Sequence, residues 1–190
     1  YLSNQDNDYF GQTDLFIYCF KDSTSKKIAG GVQTAPTWVN DSTIIYTKRS
    51  VPNKWGSKYF DLYRYDLNLD EEIRLTTNGR YMAPLYIAEE KKIAAIKTID
   101  GSSNIFVSDL EFIDFQPITN ISDGTVFFSL TYDEMNKKLI ADANSNHGRQ
   151  LVEIDLETGH LAIKTFVGWD SRNPAMQNGS LIYAHDKSGI

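Results

Sequence analysis

Apolar positions along this chain fall in short runs, and most runs mix alternation with aromatic or β-branched residues. Phe60-Asp61-Leu62-Tyr63-Arg64-Tyr65-Asp66-Leu67 is one of them. Such a run predicts a half-buried strand, whose successive side chains face opposite sides of a sheet. Turn-forming stretches separate the runs: Asn40-Asp41-Ser42, Asp100-Gly101-Ser102-Ser103-Asn104 and Glu157-Thr158-Gly159. No apolar stripe with the 3.6-residue period of a helix is sustained. The nearest approach, residues 88–96, falls where the repeat described next demands a turn and a strand. The prediction is an all-β chain.

The runs recur in a fixed order. One unit reads Ala35-Pro36-Thr37-Trp38, Ile44-Ile45-Tyr46, Leu62-Tyr63-Arg64-Tyr65-Asp66-Leu67, Arg74-Leu75-Thr76. The next reads Ala83-Pro84-Leu85-Tyr86, Ile93-Ala94-Ala95-Ile96, Ile105-Phe106-Val107-Ser108-Asp109-Leu110, Pro117-Ile118-Thr119. The third reads Leu130-Thr131-Tyr132, Leu139-Ile140-Ala141, Leu151-Val152-Glu153-Ile154-Asp155-Leu156, Ile163-Lys164-Thr165. Asp66, Asp109 and Asp155 are separated by 43 and 46 residues, and each is followed 10 residues later by a threonine: Thr76, Thr119 and Thr165. A period near 45 lies in the range of β-propeller blades, each a four-stranded antiparallel sheet. The repeated aspartates close the third strand of each unit, where a carboxylate accepts backbone N–H groups and holds a turn. A residue that recurs with the repeat serves the repeat, so these acids read as structural.

The 190 residues carry a formal net charge of -6, with 41% hydrophobic and 23% charged residues, a balance that suits a globular chain with its own core. The aromatic share, 13%, favours pleated sheet. An acidic chain whose basic residues never cluster beyond pairs such as Lys48-Arg49 and Lys137-Lys138 lacks the footprint that binding nucleic acid requires. The longest strongly apolar run, residues 15–20, is far short of the ~20 residues of a membrane-spanning helix. Cys19 lies in that run, is the one cysteine of the chain, and is expected to act as a small buried hydrophobe. The chain opens Tyr1-Leu2-Ser3-Asn4 without an initiator methionine, and the expectation is that it is cut from something longer.

These residues resemble the WD-like repeats of TolB-like β-propellers. The repeat of that family runs from a Pro-x-Trp-Ser-Pro-Asp-Gly turn through an apolar strand and an Ile/Leu-Tyr-x-x-Asp-Leu strand to a Thr-Gly turn and Leu-Thr. Here Pro36-Thr37-Trp38, Leu62-Tyr63-Arg64-Tyr65-Asp66-Leu67 and Arg74-Leu75-Thr76 carry the likeness, as does Asp155-Leu156-Glu157-Thr158-Gly159. Asn173-Pro174-Ala175 opens a further unit, and residues 185–190 look like its loop and third strand. The chain departs from the pattern at the Ser-Pro-Asp-Gly turn, replaced by Val39-Asn40-Asp41-Ser42, Ile87-Ala88-Glu89-Glu90, Asp133-Glu134-Met135-Asn136 and Gln177-Asn178-Gly179-Ser180. Tyr86, Tyr132 and Met176 stand where the first full unit has Trp38.

The resemblance implies an all-β propeller of four-stranded antiparallel blades. Residues 1–32 form a partial blade, 33–81, 82–126 and 127–171 three full ones, and 172–190 the start of another. TolB-like propellers commonly have six blades, which at this period needs roughly 270 residues. The expectation is therefore about four blades of a longer ring. The alternative is that the C-terminal strands complete the N-terminal partial blade and close a four-bladed ring. An open arc leaves strand edges through which the chain could oligomerise.

Motifs of catalysis and of nucleotide or metal binding are missing from the sequence. It contains no Gly-x-Ser-x-Gly, His-Glu-x-x-His, P-loop or Gly-x-Gly-x-x-Gly. His147, His160 and His185 are dispersed, and read as loop residues. Asp6-Asn7-Asp8 and Asp70-Glu71-Glu72 could offer oxygen ligands but lack EF-hand spacing and read as solvated acidic turns. No catalytic residue, cofactor or metal is assigned. The candidate contact residues are Trp55 and Tyr59 in an insertion over residues 50–59, His147 and Arg149 in a polar loop, and Trp169 and Arg172 in a link between units. Trp55 either meets a partner or packs under its own loop.

What the resemblance implies about function is a non-catalytic scaffold with a protein partner, periplasmic or otherwise extracytoplasmic in a bacterium. A second reading is the substrate-gating propeller of a prolyl-oligopeptidase-type serine peptidase whose catalytic domain lies elsewhere. The third, a propeller enzyme, needs a cluster such as His147, Arg149, Trp55 and Arg172.

Overall fold

In the computed structural model, which describes residues 1–7, 11–111, 115–165 and 169–186, the predicted runs become strands. The chain divides by its internal contacts into two units, Tyr1–Pro84 and Leu85–Ile190. No helix occurs among the described residues.

In the first unit, β1 (Leu2–Ser3), β2 (Asp14–Cys19) and β3 (Thr24–Gly30) form a three-stranded sheet, in that order. Next come β4 (Thr37–Trp38), β5 (Thr43–Arg49), β6 (Phe60–Asp66) and β7 (Glu71–Arg74), a four-stranded antiparallel meander. Its core gathers Leu15, Val32, Ile44, Tyr46, Tyr63 and Tyr65, with Leu2, Ile17 and Leu67 packed against them. Tyr46 and Tyr63, cross-strand partners, stack with ring centroids 6.2 Å apart. The Tyr46 hydroxyl donates to Glu72, and burial, helped by that carboxylate, raises its pKa.

The division between the units falls within β8 (Tyr81–Ile87). A second four-stranded sheet contains β8, β9 (Lys92–Ile99), β10 (Ser102–Asp109) and β11 (Gln116–Pro117). A third contains β12 (Val126–Asp133), β13 (Lys138–Ser145), β14 (Gly148–Asp155) and β15 (Leu161–Ile163). The hairpin of β16 (Ser171–Gln177) and β17 (Ser180–His185) follows. The second strand of each full sheet carries an unbroken buried run. Ile44, Ile45 and Tyr46, Ile93 to Ile96, and Leu139, Ile140 and Ala141 are all at most 1% exposed. That is why these stretches read as continuous apolar runs and not as alternation.

The repeated residues perform repeated tasks. Asp66 accepts the N–H groups of Asn68 and Leu69 at 2.8 and 3.1 Å. Asp109 accepts that of Glu111 at 3.1 Å, and Asp155 those of Glu157 and Thr158 at 3.0 and 2.8 Å. Each holds the turn after the third strand, as predicted. Lys138 also pairs with Asp155, and that ion pair, with the Thr158 bonds, depresses the Asp155 pKa. The repeated threonines close the sheet edge. The hydroxyls of Thr76, Thr119 and Thr165 accept the N–H groups of Leu62, Ile105 and Leu151 at 3.0, 2.9 and 3.0 Å. Two of the four replaced Ser-Pro-Asp-Gly turns are rebuilt by single side chains. Asn40 accepts the N–H groups of Ser42 and Thr43, both at 2.9 Å, and Asp133 those of Met135 and Asn136 at 3.1 and 3.2 Å.

Because each threonine clamp satisfies a strand N–H from a side chain, replacing Thr119 or Thr165 by valine leaves that donor without its partner. Each substitution is expected to lower unfolding free energy by about 1–2 kcal/mol, checked by urea denaturation. A loss within error at both positions would mean that water or a carbonyl replaces the clamp.

Cys19 corrects an expectation. It is exposed, not buried. The first half of β2, Asp14 to Phe16, is buried, whereas Tyr18 and Cys19 face solvent and Phe20 is 90% exposed. A register shift between Leu15 and Phe16 interrupts the pairing with β3, and the end of the run leaves the core. Apolar character alone did not distinguish the covered half from the bare half. Asp8 of the Asp6-Asn7-Asp8 stretch, and residues 187–190, lie outside the described residues.

Candidate functional site

The insertion predicted over residues 50–59 connects β5 to β6, and its conformation is set by one side chain. Asn53 Oδ1 accepts the N–H groups of Trp55 and Ser57 at 2.9 and 3.0 Å. The Asn53 main chain meets Ser57 O and Gly56 N, both at 2.9 Å, with Gly56 in the left-handed region at φ 76°. At its base, Ser50 N–H bonds Tyr59 O at 2.8 Å. The insertion is therefore a small ordered hairpin. Trp55 sits on it 78% exposed, so it does not pack under its own loop.

Cations gather around these aromatics. Lys54 Nζ lies 5.0 Å from the Trp55 ring centroid, and Arg49 lies over Phe60 at 5.4 Å. Arg80 covers the Tyr59 ring at 4.6 Å and donates to its hydroxyl at 3.3 Å. That hydrogen bond pulls the Tyr59 pKa below the usual phenol value. Among the described residues, Arg49, Lys54, Lys58 and Arg80 form no salt bridge. An acidic chain thus presents a locally basic, aromatic surface. Trp55, Tyr59 and the flanking lysines were readable from sequence. Arg80, about twenty residues beyond the insertion, was not, because only the sheet brings it back.

Beside the insertion lies a cleft of about 500 Å³. Its walls include Gly11, Gly30, Gly31, Arg49, Ser50 and Lys58. Ser50 is 4% exposed, and its hydroxyl has no hydrogen-bond partner among the described residues. Behind Gly30 and Gly31 the carboxylate of Asp14, 1% exposed, accepts Gly31 N–H at 3.2 Å and pairs with Lys27. Burial alone would raise the Asp14 pKa, but the hydrogen bonds from Lys27 and Gly31 outweigh it and the net shift is downward.

The remaining candidates lie in the second unit. His147 sits exposed in the turn between β13 and β14, its carbonyl within 3.4 Å of Gln150 Nε2. Arg149 forms a two-pronged pair with Asp142, Nε and NH2 each 2.8 Å from a carboxylate oxygen, and stacks on Phe128 at 4.3 Å. The Asp142 hydrogen bond raises the Arg149 pKa further. Asp142 is fully buried and also accepts Asn173 N–H at 3.0 Å. Arg149 N–H reaches Asp170 at 3.4 Å, Asp170 O accepts Asp186 N–H at 2.9 Å, and Arg172 faces Asp186 at 3.5 Å. Trp169, adjacent to Asp170, is 46% exposed. Arg149 and Arg172 thus join one hydrogen-bonded network, with both guanidiniums facing carboxylates. Trp55 and Tyr59 belong to the first unit. Asp142, which organises this network, was missed in the sequence because it carries no motif.

Two acids of the stretch Asp70-Glu71-Glu72 are engaged by cations and tyrosines. Lys26 and Tyr65 donate to Asp70, and Tyr46 and Lys48 to Glu72. Among the described residues no group of three or more His, Cys, Asp or Glu side chains is arranged to hold a metal ion, and no helix is long and apolar enough to cross a membrane.

No family model matches the sequence, and no curated protein matches it. Solved structures do. TolB from Acinetobacter baumannii superposes with a TM-score of 0.65 at 16% identity, over 90% of this chain and 42% of that one. A prolyl endopeptidase gives a TM-score of 0.64 at 9% identity, over 92% of this chain and 28% of that one. The β-propeller domain of the Trilobed protease from Pyrococcus furiosus gives 0.53 at 18% identity, over 84% and 45%. The chain spans less than half the length of each of these structures. With the four-stranded antiparallel sheets described above, these likenesses establish the fold as that of β-propeller blades.

Proposed function

We propose that this chain is a non-catalytic protein-interaction scaffold, working in the periplasm or another extracytoplasmic compartment of a bacterium. The observation that carries this reading is Trp55, a large aromatic presented 78% exposed on a hairpin that Asn53 has already ordered. An aromatic held rigid before contact loses little conformational freedom on binding, which is what interface anchors need. Lys54 beside it, with Arg49 and Arg80 on the aromatics Phe60 and Tyr59 at the base of the insertion, favours a partner with an acidic surface. The likeness to TolB supports the compartment and the scaffold role together.

A photo-crosslinking residue at position 55 of the parent protein, with one at Glu157 as control, tests the reading in the native cell. One polypeptide should be captured from position 55 and not from 157. Trp55→Ala should weaken binding of that purified polypeptide by about tenfold or more, with thermal stability unchanged. Unchanged affinity would end the proposal that Trp55 is the anchor.

The likeness to a prolyl endopeptidase favours a second reading, in which these blades gate a serine peptidase. A Gly-x-Ser-x-Gly segment in the parent reading frame would decide for it. Trp55→Ala would then alter peptide hydrolysis instead of capture.

A further inference from the structure

We propose that the cleft of the first unit binds a small ligand bearing a doubly charged oxyanion, a dicarboxylate or a phosphate, with its anionic oxygens between Arg49 and Lys58. Arg49 and Lys58 are the ionisable side chains among its lining residues, and both are cations. The chain has 25 acidic residues against 19 basic ones, yet among the described residues no acid lines this cleft. Neither cation forms a salt bridge among the described residues. Two like charges beside one cavity repel each other, and an anion with two charges relieves both. Arg49, braced over Phe60, offers a planar fork suited to two oxygens of one carboxylate or phosphate, and Lys58 offers a mobile point charge.

The rest of the wall is built for polar contact. Ser50 supplies a buried hydroxyl with no partner among the described residues, the kind of group that carries a desolvation cost until something bonds it. Gln12 and Gln33 add amides for uncharged oxygens. Glycine keeps the floor open: a Cβ at Gly11 or Gly31 would meet nothing within 4 Å, so the space above them is empty. Asp14 lies behind the floor, but Lys27 and Gly31 N–H already engage its carboxylate, so it opposes an incoming anion only weakly. At about 500 Å³ the cleft has room for a small metabolite and not merely for an inorganic ion. This goes beyond the scaffold reading and does not depend on it.

The test is a titration of the isotopically labelled full chain, followed by amide NMR, with succinate in one arm and inorganic phosphate in the other. Sodium chloride of matched ionic strength is the reference. Saturable shifts confined to Gly11, Gly31, Ser50 and their neighbours are expected in at least one arm, and the arm that responds identifies the source of the oxyanion. Arg49→Gln and Lys58→Gln should each weaken that binding by about tenfold, and Ser50→Ala by less. Both cations are exposed, so these variants should melt as the parent does. Shifts that merely follow ionic strength, or unchanged affinity in both charge variants, would overturn the proposal.

Discussion

Asp61→Ala is expected to lower unfolding free energy by about 3 kcal/mol or more. Asp61 is fully buried at the start of β6, and its carboxylate accepts four hydrogen bonds. The donors are Arg74 NH2 and Gly79 N–H at 2.7 Å, the Thr76 hydroxyl at 3.0 Å, and Asn78 N–H at 3.1 Å. All four come from β7 or the link that leaves it. Alanine would strand an arginine charge and two main-chain donors together, and each unpaired group keeps its desolvation cost. Arg74 is partly exposed and can turn to water, which holds the loss short of that for a wholly enclosed pair. Asp61→Asn retains the shape and an acceptor but not the charge, so it should fall between alanine and the parent. Urea denaturation measures both. A loss below about 1 kcal/mol for alanine would mean that the link is held by packing instead.

Asp142→Ala should cost a comparable amount, about 3 kcal/mol, for a related reason. Here the stranded charge is Arg149, otherwise pinned by two 2.8 Å bonds, and the stranded main-chain donor is Asn173 N–H. Asn173 has φ 53° and lies in the irregular stretch of β16 between Arg172 and Ala175. The loss should therefore loosen the β16–β17 hairpin as well as the β13–β14 pair. A double-mutant cycle isolates the interaction. Arg149→Met alone leaves the buried carboxylate without its cation, so Asp142→Ala and Arg149→Met combined should cost less than the sum of the two, by about 1–3 kcal/mol. Strict additivity would show that the pair contributes nothing of its own.

The repeat was legible because its parts are local and alike. Asp66, Asp109 and Asp155 each hold a turn within three residues, so residue type and position stay locked together. The threonines are equally uniform, although their task, reaching back 14 residues to a strand N–H, was not foreseen. What escaped was the position just before that N–H. Asp14, Asp61 and Asn104 each lie near the start of the corresponding strand in successive sheets and each binds the link that leaves the sheet. The next sheet has Gln150 there, which instead donates to the His147 carbonyl. One task shared by different residue types leaves no pattern to find.

The candidate sites were legible in proportion to their compactness. Trp55 and Tyr59 stood out because the insertion interrupts a regular spacing. The oxyanion cleft draws on positions from 11 to 58, none of them unusual alone, and only folding brings Gly11, Gly31 and Arg49 to one wall. Cys19 failed for the opposite reason: its neighbours in sequence are apolar, but burial depends on what covers a strand.

The threonine clamps bear on how such repeats diverge. Each needs a hydroxyl on one side and only main chain on the other, since any residue but proline can supply the N–H that Leu62, Ile105 and Leu151 supply here. The side chain that follows is then free to drift with the core it faces. A sheet edged this way keeps its shape while nearly every letter changes, and one threonine per blade can outlast the Ser-Pro-Asp-Gly turns that this chain has given up.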